Sequence, residues 1–255
     1  VKELEDFINK CHRCLLDGDS WDTNEARAYL ASRKIDDSTI RSNRIGYCPQ
    51  KDVLHPAIAR FGVSDPKDKR DYSWFITGRL VVPIMAEFGE LVAFATRPPS
   101  KEKGCSWWNL PSPFKKGEHL FLLSDARRAI FEKDKVYIVE GYIDAIMLHQ
   151  AGLTNSCSLM GTALTLRKIS LIARYCQRVC FCFDVDDNEA GQRALRKSVS
   201  LLRRFNFCSA ISVIDGLPVG QDPDEYVKAN GIKQFLGLER QLSQEEIEMM
   251  CAEAA

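Results

Sequence analysis

Arg178-Val179-Cys180-Phe181-Cys182-Phe183-Asp184-Val185-Asp186 is a short, unbroken apolar run that ends in two aspartates one residue apart. A run of this length, apolar on both faces and rich in β-formers, reads as a strand covered on both sides. Its surroundings have the same texture. Upstream, Val136-Tyr137-Ile138-Val139 is a second such run, followed by a helical segment Asp144–Gln150 that Gly152 stops. Ser156-Cys157-Ser158-Leu159 is a weaker strand before Gly161-Thr162, and a helix is expected over about 164–176. Downstream come a helix at 189–205, a strand Ala210–Ile214 and a short helix Pro223–Ala229. Apolar strands that alternate with helices of about ten residues specify an α/β fold with a mostly parallel sheet and helices on both faces.

In open parallel sheets, sites form beyond the carboxyl ends of the strands, and the acids of this half fall there. Glu140 follows the first strand directly, and Asp184, Asp186 and Asp187 follow the run 178–183. Asp222 and Asp224 follow the last strand after a loop. Each alone has an ordinary reading: a turn at Glu140-Gly141, a solvated cap at Asp184–Asp186, a capped helix start at Asp222-Pro223-Asp224. Together they crowd like charges at one edge, an arrangement that needs a cation. Oxygen ligands suit a hard divalent ion, Mg²⁺ or Mn²⁺, of the kind that clamps the oxygens of a phosphoryl transfer.

The first half reads differently. Leu4, Phe7, Ile8, Cys11 and Leu15 recur at helical spacing, and Asp22-Thr23 reads as the cap of a second helix. Leu80–Ile84 and Leu91–Ala95, with a turn near Phe88-Gly89, form an expected hairpin. Residues 97–118 are rich in Pro and Gly and read as loop. The expected division is an α+β basic subdomain at 1–134, the parallel-sheet subdomain at 135–222 and a short helical C-terminal tail at 223–255.

Composition bounds the function class. Of 255 residues 45% are hydrophobic and 27% charged, which excludes a disordered or fibrous chain, and no apolar run approaches a membrane span. Thirty-five basic residues balance thirty-five acidic ones, but residues 96–128 hold seven Lys/Arg against three Asp/Glu, a local cationic footprint. The start, Val1-Lys2-Glu3-Leu4-Glu5, is no signal peptide, and without an initiator Met it reads as an excised or processed chain. Ten cysteines show no disulfide framework, so a cytoplasmic, reducing setting is expected. Cys11-His12-Arg13-Cys14 matches half a zinc site, but no second half follows and Cys11 lies on the apolar helix face.

The acidic motifs resemble a TOPRIM domain, and the longer pattern resembles the bacterial DnaG-type primases. Val139-Glu140-Gly141-Tyr142-Ile143-Asp144-Ala145 is similar to that family's glutamate motif. Leu159-Met160-Gly161-Thr162-Ala163 resembles its glycine-threonine loop, and Asp184-Val185-Asp186 with Ala190-Gly191 its paired-aspartate motif. Asp222-Pro223-Asp224-Glu225-Tyr226 resembles its third acidic motif. Upstream, Ala26–Leu30 with Arg33, Gly78–Ile84, Ala93–Arg97, Trp108–Pro111 and Phe114–Gly117 resemble the segments that precede the TOPRIM motifs. Here Asp187-Asn188-Glu189 lengthens the turn after the paired aspartates, which opens a metal role for Asp187, and Ser106 stands where a lysine is common.

The resemblance implies a primase core that makes short RNA primers from nucleoside triphosphates on single-stranded DNA. It implies Glu140, Asp184 and Asp186 as catalytic residues, with Asp222 and Asp224 joining them as ligands of Mg²⁺ or Mn²⁺. Arg79, Arg97, Lys116, Gly161 and Thr162 would bind nucleotide or template, and Trp107 or Trp108 would stack on bases or sit in a joint. A replicative helicase would be a partner through regions not seen in this chain, and the family's zinc module is not found in it either. Two other readings stay open: another TOPRIM enzyme such as a nuclease, and a non-catalytic DNA-binding or scaffold module.

Overall fold

A computed structural model describes residues 2–49, 76–100, 106–110, 114–161, 163–184, 190–207 and 209–254. The chain divides into two compact units, residues 1–85 with 90–114, and residues 86–89 with 115–255. Among the described residues no helix is long and apolar enough to cross a membrane.

The first unit is a four-stranded antiparallel sheet with a helix laid on it. The strands β1 (Gly46–Cys48), β2 (Arg79–Met85), β3 (Leu91–Arg97) and β4 (Trp108–Leu110) lie in sequence order. Helix α1 (Lys2–Asp17) turns Leu4, Phe7, Ile8, Cys11 and Leu15 inward, the face its spacing predicts. Phe7 meets Phe94 of β3 with ring centroids 5.0 Å apart, and Val81, Leu91 and Leu110 close the same core. The expected hairpin is β2 and β3, and Gly89 supplies the positive φ of +95° that its turn requires. Pro83 is tolerated inside β2 because β1 pairs only as far as Val81.

Helix α2 spans Trp21–Ser32, one step earlier than Asp22-Thr23 as a cap predicts. Ser20 is the N-cap, and Asp22 and Thr23 are buried in the first turn, where the Tyr47 hydroxyl donates to Asp22 Oδ2 at 3.4 Å. The short α3 (Asp37–Ser42) is capped by Asp36, whose carboxylate accepts from the Thr39 amide at 2.7 Å.

The second unit opens with α4 (Leu123–Lys133). It continues as β5 (Val136–Val139), α5 (Tyr142–Gln150), β6 (Ser156–Ser158), α6 (Leu166–Ile172) and β7 (Arg178–Cys182). Then come α7 (Ala190–Arg204), β8 (Ala210–Ile214), α8 (Pro223–Asn230), α9 (Ile232–Gly237), β9 (Glu239–Gln241) and α10 (Gln244–Glu253). The sheet order is β6-β5-β7-β8-β9, parallel through β8. Ile138, Val179, Phe181, Ile211 and Val213 supply its core with Ile130, Ile169, Val199 and Leu202 from the helices. Cys180 and Cys182 are fully buried in β7 as small apolar residues.

Three elements differ from expectation, the first being residues 108–110, which lie inside the stretch read as loop and pair with β3 as strand β4. Helix α6 is shorter than 164–176, because the Thr165 hydroxyl caps it by accepting from the Lys168 amide, and after Ile172 the chain turns. The stretch after Asp222, expected to be helical, also adds β9 antiparallel to β8. Glu239 anchors that strand, since Lys135 and the Tyr137 hydroxyl both donate to its carboxylate.

Helix α1 and strand β1 approach each other closely along the backbone. A Cβ at Gly46 would stand 2.7 Å from the Cys11 carbonyl carbon and the His12 nitrogen. Gly46→Ala should therefore lower unfolding stability by about 1–3 kcal/mol, because backbone rather than a flexible side chain must yield. Urea titration of both proteins checks this; an unchanged midpoint would show that α1 is free to shift on β1.

Candidate active site

The site is built where parallel strands end. Glu140 leaves β5 and its carbonyl is held twice, by the Ser158 hydroxyl at 2.8 Å and the Gly161 amide at 2.8 Å. Ser158 also accepts from the Met160 amide at 2.8 Å, so one hydroxyl ties the loop after β6 to the residue after β5. Met160 and Gly161 both take positive φ, 62° and 69°, which turns the loop back over Glu140. Underneath, the buried Lys168 ammonium donates to the Leu159 carbonyl at 2.9 Å. Gly161 thus stands in the wall behind Glu140.

Asp184 leaves the end of β7, and Gly191 joins it to Glu140. A Cβ at Gly191 would lie 2.1 Å from the Asp184 carbonyl oxygen and 3.5 Å from Glu140 Oε1. Only glycine lets the first turn of α7 close on the Asp184 backbone, with Glu140 Oε1 in ordinary contact range beside it. Glu140 Oε1 and Asp184 Oδ1 are both sealed from solvent, beneath a helix N-terminus whose dipole favours negative charge.

A second acidic group forms at α5 and α8. Asp144, Asp222 and Asp224 bring carboxylate oxygens within 4.8 Å of one another. Asp144 accepts from the Gly141 amide at 3.1 Å and the Asp224 amide at 3.4 Å, while Asp224 pairs with Lys228 one turn along α8. Burial first, then the charges of Asp224 and Asp222, push the Asp144 carboxyl up to about 7. Three crowded carboxylates of which one resists ionisation form an all-oxygen donor set that fits a hard divalent cation. Asp144, Asp222 and Asp224 would hold such an ion.

The cationic residues separate between the units. In the first, Arg97 ends β3 with its guanidinium 5.6 Å from the ring centroids of both Tyr29 and Trp107, and it donates to the Ser100 carbonyl at 3.0 Å. Arg33 lies 5.8 Å from the same Tyr29 ring. Arg79 donates to Thr96 Oγ1 at 3.2 Å and to the Ser106 carbonyl at 3.2 Å. Trp108 lies in β4 and is partly exposed. In the second unit Lys116 starts a short 3-10 turn whose Gly117 carbonyl accepts from the Thr165 hydroxyl at 2.6 Å.

The structure therefore brings Glu140 to Asp184, and Asp222 to Asp224. Asp186, Asp187 and Thr162 lie outside the described residues. Sequence reading assigned no role to Asp144, Lys168, Lys228 or Arg33. Asp144 had a signal: it is the lone acid among Tyr142–Leu148, every residue of which is buried. Lys168 had none, because its burial depends on a loop that folds over it.

One unit carries the acids of a Toprim-like sheet and the other carries cationic residues, and comparison with known proteins finds the same two parts. The family model described as DNA primase catalytic core, N-terminal domain, matches residues 16–127, and the Toprim-like model matches residues 137–227. The chain is 32% identical over 224 residues to the DNA primase of Aquifex aeolicus, covering 83% of this chain and 44% of that one. It is 33% identical over 213 residues to the DNA primase of Treponema pallidum, covering 78% and 34%. Among solved structures, the Aquifex aeolicus primase with zinc-binding and RNA polymerase domains matches at TM-score 0.71 and 26% identity, over 96% of this chain and 66% of that one. A DNA primase domain from Pseudomonas aeruginosa has the same fold at TM-score 0.81 and 24% identity, over 99% and 83%. The chain belongs to the bacterial DnaG-type primase family and carries its TOPRIM domain. It spans less than half the length of these two curated relatives.

Burial, with the nearby Lys116 charge second, pushes the Lys168 ammonium down to about 7. An unfolded lysine keeps its proton to about 10.4. Between these values the unfolded chain binds more protons, so this group makes stability rise with pH, and its full cost falls below pH 7. Lys168→Met should therefore gain most on the wild type at pH 6, and the difference in Tm should shrink toward pH 9. A gap that is constant with pH would mean that Lys168 reaches solvent.

Proposed function

We propose that this chain is a primase catalytic core that joins ribonucleoside triphosphates into short RNA primers on single-stranded DNA. The observation that carries the reading is the meeting of Glu140 and Asp184 under the first turn of α7, with Asp144, Asp222 and Asp224 gathered in the same unit. A solved DnaG primase catalytic domain of the same fold is bound to single-stranded DNA, which supports that template class.

In this reading Glu140 and Asp184, with Asp186, hold one Mg²⁺ or Mn²⁺, and Asp144, Asp222 and Asp224 hold another. Bound divalent cations neutralise triphosphate oxygens and stabilise charge on the attacking and leaving oxygens. The chain's own part is placement. The Ser158 and Gly161 contacts fix the backbone of Glu140, whose carboxylate lies near the primer 3′-hydroxyl as ligand or proton acceptor. Gly191 keeps Asp184 beside it. Arg97, beside Tyr29 and Trp107, presents its guanidinium for phosphate oxygens, and Arg79 and Lys116 add charge for triphosphate or template. A replicative helicase would be met by surface outside these residues.

The direct test is ribonucleotide incorporation on single-stranded DNA with Mg²⁺ or Mn²⁺; no incorporation with either ion overturns the reading. Within it, Glu140→Gln should cut incorporation by at least about a hundredfold, because the charge is lost while the shape is kept. Near-normal turnover of the folded variant would remove Glu140 from the chemistry. Arg97→Ala should weaken labelled nucleotide binding by about tenfold or more and template binding less, since its fork has no substitute. Equal nucleotide affinities would leave Arg97 a packing residue.

A further inference from the structure

Helix α7 carries Arg193, Arg196, Lys197, Arg203 and Arg204 and no acid. At about 100° per residue, Arg193, Lys197 and Arg204 fall within about 40° of one another on one line of the helix. All three are exposed, while Leu195, Val199 and Leu202 bury the opposite side. Arg196 lies off this line and pairs with Glu253 at 2.8 Å. Arg193, Lys197, Arg203 and Arg204 make no ion pair with any described residue.

The arrangement works against the helix that carries it. Arg193 stands in the first turn, where the dipole disfavours a cation, and Arg193 with Lys197 is a like-charge pair at i,i+4. Other helices of the unit pair their charges at that spacing, as Arg128 does with Glu132 and Lys228 with Asp224. The stripe also begins at the acids. Gly191, two residues before Arg193, touches Asp184 and approaches Glu140, and from there the helix runs about 20 Å.

We propose that this stripe is the track on which the primer–template duplex leaves the site, with Arg193, Lys197 and Arg204 on its phosphate backbone. The proposal rests on the primase reading above. A surface of cations alone matches a polyanion without reading its bases. A single strand is gripped by successive stacking on aromatic faces as well as by charge; helix α7 itself has no aromatic residue, and the exposed Phe205 stands only past its far end, its ring centroid 5.9 Å from the Arg204 guanidinium. What emerges beside Glu140 and Asp184 is the newly paired strand, so the duplex is the occupant.

The test compares wild type with Arg193→Gln/Lys197→Gln/Arg204→Gln, using an RNA–DNA hybrid and a single-stranded DNA of equal length in anisotropy titrations across salt. Each phosphate contact contributes about 0.9 to the slope of log K against log salt on a duplex. The triple variant should lose between about two and three in slope on the hybrid and little on the single strand. Arg196→Gln, off the stripe, should leave both slopes unchanged. First dinucleotide formation should stay within about twofold of wild type, while longer products shorten. An unchanged hybrid slope in the triple variant, with its Tm retained, overturns the track, and an equal loss on both ligands would place the template strand there instead of the duplex. If the wild type forms no dinucleotide at all, the primase reading fails, and the hybrid slopes still decide the stripe.

Discussion

Asp144 sits on a helix whose other inward residues are apolar, with the carboxylates of Asp222 and Asp224 close by. Holding that charge in place is the constraint on which the acidic half of the structure depends. Two backbone amides, from Gly141 and Asp224, point at its oxygens, and Lys228 neutralises Asp224. Even so, its proton is held far above the ordinary carboxylate range. A parallel sheet makes such crowding possible, because every strand delivers its end to the same edge. The repulsion that follows is the physical source of affinity for a divalent cation.

Glu140 and Asp184 are positioned by a different device. They leave neighbouring strands, β5 and β7, which pair in register from Val136 with Val179 to Val139 with Cys182. Their convergence then depends on a helix start without a side chain, at Gly191, and on the loop that Ser158 ties to Glu140. Lys168 adds a buried donor under that loop, a costly choice that makes sense only where the carbonyl it meets must not move. In the first unit the Arg97 guanidinium lies 5.6 Å from the ring centroids of Tyr29 and Trp107 and donates to the Ser100 carbonyl, contacts that narrow the freedom of a long side chain.

Most of the fold was legible because it is periodic. The apolar strands at 136–139, 178–183 and 210–214, and the helical spacing of Leu4 to Leu15, each encode their own burial. The hairpin announced itself through Gly89. Boundaries were less legible where a cap had to be chosen. Ser20 rather than Asp22 caps α2 because Asp22 is needed inside, against Tyr47, and β9 forms because Lys135 and Tyr137, over a hundred residues away, hold Glu239.

Local pattern in the chain is enough for the fold class, for the positions of Glu140, Asp184, Asp222 and Asp224 at strand and loop ends, and for the family. These depend on local pattern, and residue type and spacing carry it. Which acids share a site depends on how the chain folds back on itself. That folding set Asp144 against Asp222 and Asp224, a contact that spans about eighty residues of chain. It also buried Lys168 and aligned Arg193, Lys197 and Arg204 along one exposed line. Desolvation and charge–charge distance are properties of the folded neighbourhood, and no single stretch of chain contains them.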